Sequence, residues 1–225
     1  MITLGVMNSR GFYPITLKEK IREYDQVFTL RFVPEEPVDF IPGQYVHLLA
    51  PASPPGPENV RHLSLASTPA EGFLQFTVDL APTSSYKTKL AALEPGGQAH
   101  LFKVKGEFLW GNPPPPQAVF WAGGLGITPV RSLVRSLKDL DAPLDWKLVH
   151  VARGPWLYER EFQGWGGDQV RIRRDALGPQ VSQTTALWPD ARHYVSGSAR
   201  FVTGVVELLG TAGVPEGRIV VENFR

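Results

Sequence analysis

The chain has 225 residues, 43% of them hydrophobic and 20% charged, enough for two compact domains of roughly 100 residues each or for one large one. The formal net charge is +1, with 10 Lys+Arg against 11 Asp+Glu up to Pro113 and 13 against 11 after it, so neither half carries the excess that nucleic-acid binding needs. There is no cysteine, which excludes disulfides, thiolate nucleophiles and cysteine-ligated iron–sulfur clusters, and no apolar run reaches the roughly 20 residues of a membrane span.

Residues 1–10 lack the basic start and apolar core of a secretory signal, so a cytoplasmic location is expected. Apolar and polar residues then alternate over 29–33, 45–49 and 74–78, with proline and glycine clusters at 34–37 and 54–57 between them. Short strands with frequent turn signals predict an N-terminal antiparallel β-barrel. One helix is predicted there, over 86–93, stopped by Pro95-Gly96-Gly97. The four prolines 113–116 read as a semi-rigid linker and place a domain boundary at 113/114; a surface loop within one domain is the alternative.

Beyond the prolines the pattern changes. The apolar run 118–122 reads as a buried parallel strand, and Val130, Leu133, Val134 and Leu137 share one face of a following helix. Strands are predicted at 147–151, 169–173, from Tyr194-Val195, and at 218–222, with a helix over 201–209. This order predicts a C-terminal α/β domain with an open, parallel, five-stranded sheet.

Three segments carry the chemistry. Gly123-Gly124-Leu125-Gly126-Ile127-Thr128-Pro129 joins a strand to an amphipathic helix. Its glycines permit a sharp turn and close ligand approach, Thr128 is suited to cap the helix, and the free N–H groups favour a phosphate. The spacing is not that of the standard dinucleotide fingerprint, so a pyrophosphate site and a bare tight turn both remain open. Arg61-His62-Leu63-Ser64 is a strand segment whose Arg could hold a phosphate bidentately, or is simply a surface residue. Tyr194-Val195-Ser196-Gly197-Ser198 runs from a strand into a helix entry, where Ser198 could be only an N-cap. The five histidines, His47, His62, His100, His150 and His193, lack metal-ligand spacing, and each reads as an isolated structural or surface residue.

In this order the segments resemble the ferredoxin–NADP⁺ reductase family over nearly the whole chain. Arg61-His62-Leu63-Ser64 resembles its flavin signature Arg-x-Tyr-Ser, and Pro42-Gly43-Gln44-Tyr45-Val46 the preceding strand. Lys87 to Leu90 with Pro95-Gly96 resembles its phosphate-facing helix, and Gly106-Glu107-Phe108 the Gly-x-Phe that closes the barrel. The loop at 123–129 is similar to its nicotinamide-nucleotide loop, Ser196-Gly197-Ser198 stands where the family has Cys-Gly-Pro, and Glu222-Asn223-Phe224 matches its Glu-x-Phe. Departures are Leu63 for Tyr, Ser196 for Cys, Ser198 for Pro and Lys105 for Pro.

The resemblance implies a flavin-dependent NAD(P)H oxidoreductase. It implies that Arg61, with His62, Leu63, Tyr86, Lys87 and Thr88, binds FAD, and that Ser64 bonds the hydride-accepting flavin nitrogen. Gly123, Gly124, Gly126, Ile127 and Thr128 would wrap the nucleotide pyrophosphate, with Gly197 and Phe224 nearby. Ser64, Ser196 and Glu222 would be the catalytic set. Arg173-Arg174 resembles the Ser-Arg pair of NADP-binding members, with Arg153 as a further contact, so NADP is expected over NAD. The electron acceptor is expected to be a separate small protein such as ferredoxin or flavodoxin, or a small molecule. A stand-alone reductase of free flavin and a non-catalytic electron-transfer subunit are the other readings. No metal, nucleic-acid or membrane partner is expected.

Overall fold

Strand pairing organises the chain into two sheets, one antiparallel and one parallel. The computed structural model describes residues 11–140 and 144–224. The chain divides into two compact units, Met1–Gly106 and Glu107–Arg225.

The first unit contains β1 (Tyr13–Tyr24), β2 (Val27–Pro34), β3 (Tyr45–Leu49), β4 (Val60–Ser64), β5 (Leu74–Asp79), α1 (Ser85–Ala91) and β6 (Gln98–Lys105). The strand order is β4-β3-β6-β1-β2-β5, all pairs antiparallel. Just past β4, the Gln75 carbonyl accepts from the Ala66 N–H at 2.8 Å, and the Gln75 N–H donates to the Ser67 hydroxyl at 2.9 Å. These bonds bring the two edges together, so the sheet curls as the predicted barrel requires.

Alternation sets its interior: Leu30 and Phe32 of β2, Val46 and Leu48 of β3, Phe76 of β5 and Leu101 of β6 form one core. The rings of Phe32 and Phe76 meet edge-on at 6.0 Å. Helix α1 adds Tyr86 and Leu90 to this core. Strand β1 was not anticipated, because Lys18-Glu19-Lys20 breaks its apolar pattern. Two of those charges have partners: Glu19 pairs with Arg31 at 2.9 Å, and Lys20 Nζ donates to the Ala91 and Leu93 carbonyls at 2.7 and 3.1 Å and pairs with Glu94 at 2.9 Å. A cation there satisfies carbonyls left open at a helix C-terminus.

The second unit contains β7 (Gln117–Gly123), α2 (Ile127–Asp139), β8 (Asp145–Val151), α3 (Glu159–Trp165), β9 (Asp168–Ile172), α4 (Leu177–Leu187), β10 (Arg192–Ser198), α5 (Ala199–Thr211) and β11 (Ile219–Phe224). The sheet is parallel and five-stranded, as predicted, in the order β11-β10-β7-β8-β9. One face packs Val119, Trp121, Val149 and Val195 against Val181 of α4 and Val205 and Leu209 of α5.

The chain runs outward from β7 through β8 and β9, then returns to the other side of β7 with β10. This reversal opens a crevice at the carboxyl ends of β7 and β10, where ligands bind in such sheets. The segment before the prolines belongs to this unit by its packing. Phe108 meets Tyr194 at 5.5 Å, Trp110 meets Phe120 at 5.8 Å, and Trp110 Nε1 donates to Ser136 Oγ at 3.1 Å. The division therefore falls at Gly106/Glu107, ahead of the expected 113. Helices α3 and α4 were not anticipated; α4 has a weak apolar stripe, burying only Leu177, Val181 and Thr184.

Candidate functional site

Strand β7 enters a single 3-10 turn, Gly124–Gly126, that leads directly into α2. Each glycine has a distinct physical reason. Gly124 is left-handed at φ +55. A Cβ on Gly126 would lie 2.1 Å from the Ser196 carbonyl oxygen, and one on Gly123 would lie 2.6 Å from the Phe201 ring. Gly197, at φ +151, closes the facing turn, where a Cβ would approach the Gly123 carbonyl to 3.1 Å. The expectation that Thr128 caps α2 is corrected. The turn feeds straight into the helix, so Thr128 lies inside its first turn and its hydroxyl donates to the Leu125 carbonyl at 2.9 Å.

Two buried side chains hold this loop. Ser196 of β10 donates to the Gly126 carbonyl at 2.5 Å. His150 of β8 faces the Gly124 carbonyl through Nε2 at 3.0 Å. A carbonyl only accepts, so Nε2 carries the proton. Burial pushes the His150 imidazole down to about 4. Sequence reasoning passed over His150 as a scattered histidine; the available signal was its place at the end of an apolar strand, opposite Ala122.

Beside the loop lies a cavity of about 590 Å³, wholly within the second unit. Gly123, Gly124 and Ser198 line one part of it; Arg153, Arg173, Arg174 and Asp175 line another. Ser198 also caps α5, accepting from the Phe201 N–H at 3.4 Å. Strand β9 ends at Ile172, one residue before the predicted end, so Arg173 and Arg174 sit on the turn beyond it. Arg171, still in the strand, donates to the Gly154 carbonyl. Among the described residues neither Arg173 nor Arg174 pairs with a carboxylate. The arrangement combines glycine backbone with uncommitted guanidinium groups, a donor set suited to phosphates.

Glu222 of β11 stands beside Ser196 in register, half-buried, and burial pushes its carboxyl up to about 7. Phe224 pairs with Ser198 at the end of the same strand.

In the first unit, β4 presents its candidate residues on alternate faces. Arg61 and Leu63 stand opposite Leu48 and Val46, and Leu63 packs against the barrel core. His62 and Ser64 stand opposite His47 and Tyr45. The His62 ring lies 4.1 Å from that of His47 and 5.3 Å from that of Tyr45, and Ser64 is buried.

Arg61 Nη1 donates to the Val60 carbonyl at 2.6 Å and the Pro57 carbonyl at 3.1 Å, and its guanidinium lies 5.0 Å over the Tyr86 ring. The Tyr86 hydroxyl is buried with no hydrogen-bond partner among the described residues, and burial raises its pKa. A buried hydroxyl donor with a guanidinium over its ring fits a phosphate-bearing cofactor. Ser84 caps α1 through the Lys87 N–H at 3.3 Å, the Thr88 hydroxyl donates to the Ser84 carbonyl at 3.1 Å, and Lys87 Nζ lies 3.9 Å from the Asp79 carboxylate.

No family model matches the chain. It is 33% identical over 149 residues to an NADPH oxidoreductase from Mycobacterium tuberculosis, a match covering 64% of this chain and 37% of that protein. With ferredoxin–NADP reductase B of Sorangium cellulosum it shares 30% identity over 188 residues, 81% of this chain and 73% of that one. The chain belongs to the ferredoxin–NADP reductase family. A solved ferredoxin–NADP⁺ reductase from Plasmodium falciparum has the same fold, with a TM-score of 0.82 at 14% identity over 98% of this chain and 99% of that one. The ferredoxin–NADP reductase likeness thus extends over both units, although the chain spans well under half of the mycobacterial relative's length. Among the described residues no helix is long and apolar enough to cross a membrane.

Proposed function

We propose that the chain is a flavin-dependent NAD(P)H oxidoreductase, in which hydride passes from NADPH to FAD and electrons leave for a separate acceptor. The observation that carries this reading is one cavity lined both by a glycine-rich loop and by the cations Arg153, Arg173 and Arg174. Bound flavin supplies the hydride acceptance and single-electron release that no amino-acid side chain offers.

The chain's residues then do four things. Arg61 holds a flavin phosphate by charge, with its guanidinium seated over the Tyr86 ring. Ser64 supplies a hydroxyl to the reacting flavin nitrogen. The N–H groups of the 123–126 turn hold the nucleotide pyrophosphate, while Arg173 and Arg174 recognise a 2′-phosphate. Glu222 sets the electrostatic environment of the nicotinamide and holds a proton at its carboxyl below about pH 7. FAD is favoured over FMN by the position of Ser84, Tyr86 and Lys87 on the helix start that resembles the family's second phosphate contact.

The acceptor is proposed to be a ferredoxin- or flavodoxin-like protein, or a small molecule. Leu63 supplies no aromatic ring for the flavin, which keeps a second reading in play: a reductase that binds flavin only in passing. Gel filtration followed by release and chromatography of any bound flavin separates the two. Stoichiometric FAD supports the first; a colourless protein that still reduces added flavin with NADPH supports the second.

A further inference from the structure

The turn that meets the nucleotide has three glycines in four residues, and glycine loses more conformational freedom on ordering than any other residue. Gly124 has open space around the position of a Cβ, so no side-chain packing restrains it there. Such a turn binds an anion well only if its carbonyls are held away from the ligand before binding; otherwise the ordering cost falls on the binding step.

The Ile127 N–H already donates to the Gly124 carbonyl within the turn, and the strands on either side add a restraint from side chains. Sheet register aligns His150 of β8, Ala122 of β7 and Ser196 of β10 in one row, immediately before the turn begins. From opposite flanks, His150 holds the Gly124 carbonyl and Ser196 holds the Gly126 carbonyl. Both side chains are buried, at 1% and 0% exposure, which leaves neither group reachable by substrate in this conformation.

We infer that His150 and Ser196 are positioning residues that form a two-sided clamp, fixing the carbonyls of Gly124 and Gly126 so that the turn presents its N–H groups to the nucleotide pyrophosphate. This rests on the nucleotide-site reading above. It assigns Ser196 a role through the loop rather than at the reacting atoms. His150 must be neutral and protonated at Nε2 to serve; its buried Nδ1, then the bare acceptor, has no hydrogen-bond partner among the described residues. Ser196→Ala removes one oxygen and leaves the packing intact; His150→Leu removes the second donor; His150→Gln retains an N–H within reach.

The test is calorimetric titration of the flavin-loaded protein with two probes: NADP⁺, which carries the pyrophosphate, and adenosine 2′-monophosphate, which lacks it. Ser196→Ala and His150→Leu are each expected to weaken NADP⁺ about tenfold, with adenosine 2′-monophosphate held within about twofold and His150→Gln recovering most of the loss. Should His150→Leu fail to fold, Ser196→Ala and the His150→Gln comparison carry the test. Unchanged NADP⁺ affinity in Ser196→Ala, or equal weakening of both probes, would overturn the clamp. A parent that binds neither probe would overturn the nucleotide site itself, and the clamp with it.

Discussion

The two units prepare for their ligands in opposite ways. In the second, the anion-binding surface is backbone, and Arg173 and Arg174 face the cavity without a carboxylate partner among the described residues. In the first, the corresponding groups already serve the fold: Arg61 donates to the Pro57, Glu58 and Val60 carbonyls, Ser84 caps α1, and the Thr88 hydroxyl bonds back to Ser84. A charge with no structural duty can be removed at little cost to stability, whereas one that braces the turn leading into its own strand cannot. Substitutions in the two units should therefore separate binding from folding to different degrees.

The largest effect is expected where the second unit tolerates nothing. Gly126→Ala would put a Cβ 2.1 Å from a backbone oxygen, which cannot rotate away. The change should cost about 3 kcal/mol or more in stability and reduce NADP⁺ affinity about a hundredfold. Urea denaturation and nucleotide titration measure the two. A fully stable, NADP⁺-binding variant would show that the turn and β10 are not packed as described.

Next is Arg61→Ala. Losing a charge-assisted phosphate contact should weaken flavin binding by about tenfold to a hundredfold. Losing the carbonyl contacts should also cost about 1 kcal/mol in stability. Flavin titration of the apoprotein and its thermal unfolding report both. A change in affinity with no change in stability would remove the contrast between the units.

The complement is Arg174→Ala, where only binding should change. The parent is expected to prefer NADPH over NADH by about tenfold in kcat/KM and the variant to lose most of that preference, about 1.4 kcal/mol. Stability should stay within about 0.5 kcal/mol. A parent that favours NADH, or a variant with unchanged selectivity, would sink the 2′-phosphate role.

The smallest effect concerns Glu222. Its carboxyl is raised to about 7, so the folded protein holds this proton more tightly than the unfolded chain. Its contribution to stability is full below the ordinary carboxylate range and falls as the pH rises through about 7. Relative to the parent, Glu222→Gln should gain stability between pH 5 and 8. It should also flatten any inflection near pH 7 in the limiting rate of flavin reduction, which it should slow severalfold. Parallel pH–stability curves and an unchanged rate would make Glu222 a bystander.

Much of this fold could be read from the sequence because its strands are patterned by a single requirement. The run 118–122 is apolar throughout because β7 is covered on both faces, and the glycine turn follows it without a gap. Strand β1 was invisible for the opposite reason, since a polar residue such as Lys20 finds its partners on the carbonyls ending α1, which no local pattern announces, and helix α4 because it buries only Leu177, Val181 and Thr184. The glycines and arginines of the nucleotide site were legible as residue types. His150 was not, because its role depends on register between strands far apart in sequence. Thr128 has the chemistry of a cap, but a 3-10 turn leading into the helix leaves no extended residue to do the capping.

Whether this chain binds a flavin and reduces it with a nicotinamide nucleotide is tested most directly by anaerobic absorbance. The spectrum of the FAD-loaded protein is recorded before and after one equivalent of NADPH, and separately of NADH. Bands of oxidised flavin that NADPH bleaches within seconds, faster than NADH does, are the expected result. A protein that retains no flavin, or whose bound flavin neither nucleotide reduces, would contradict it.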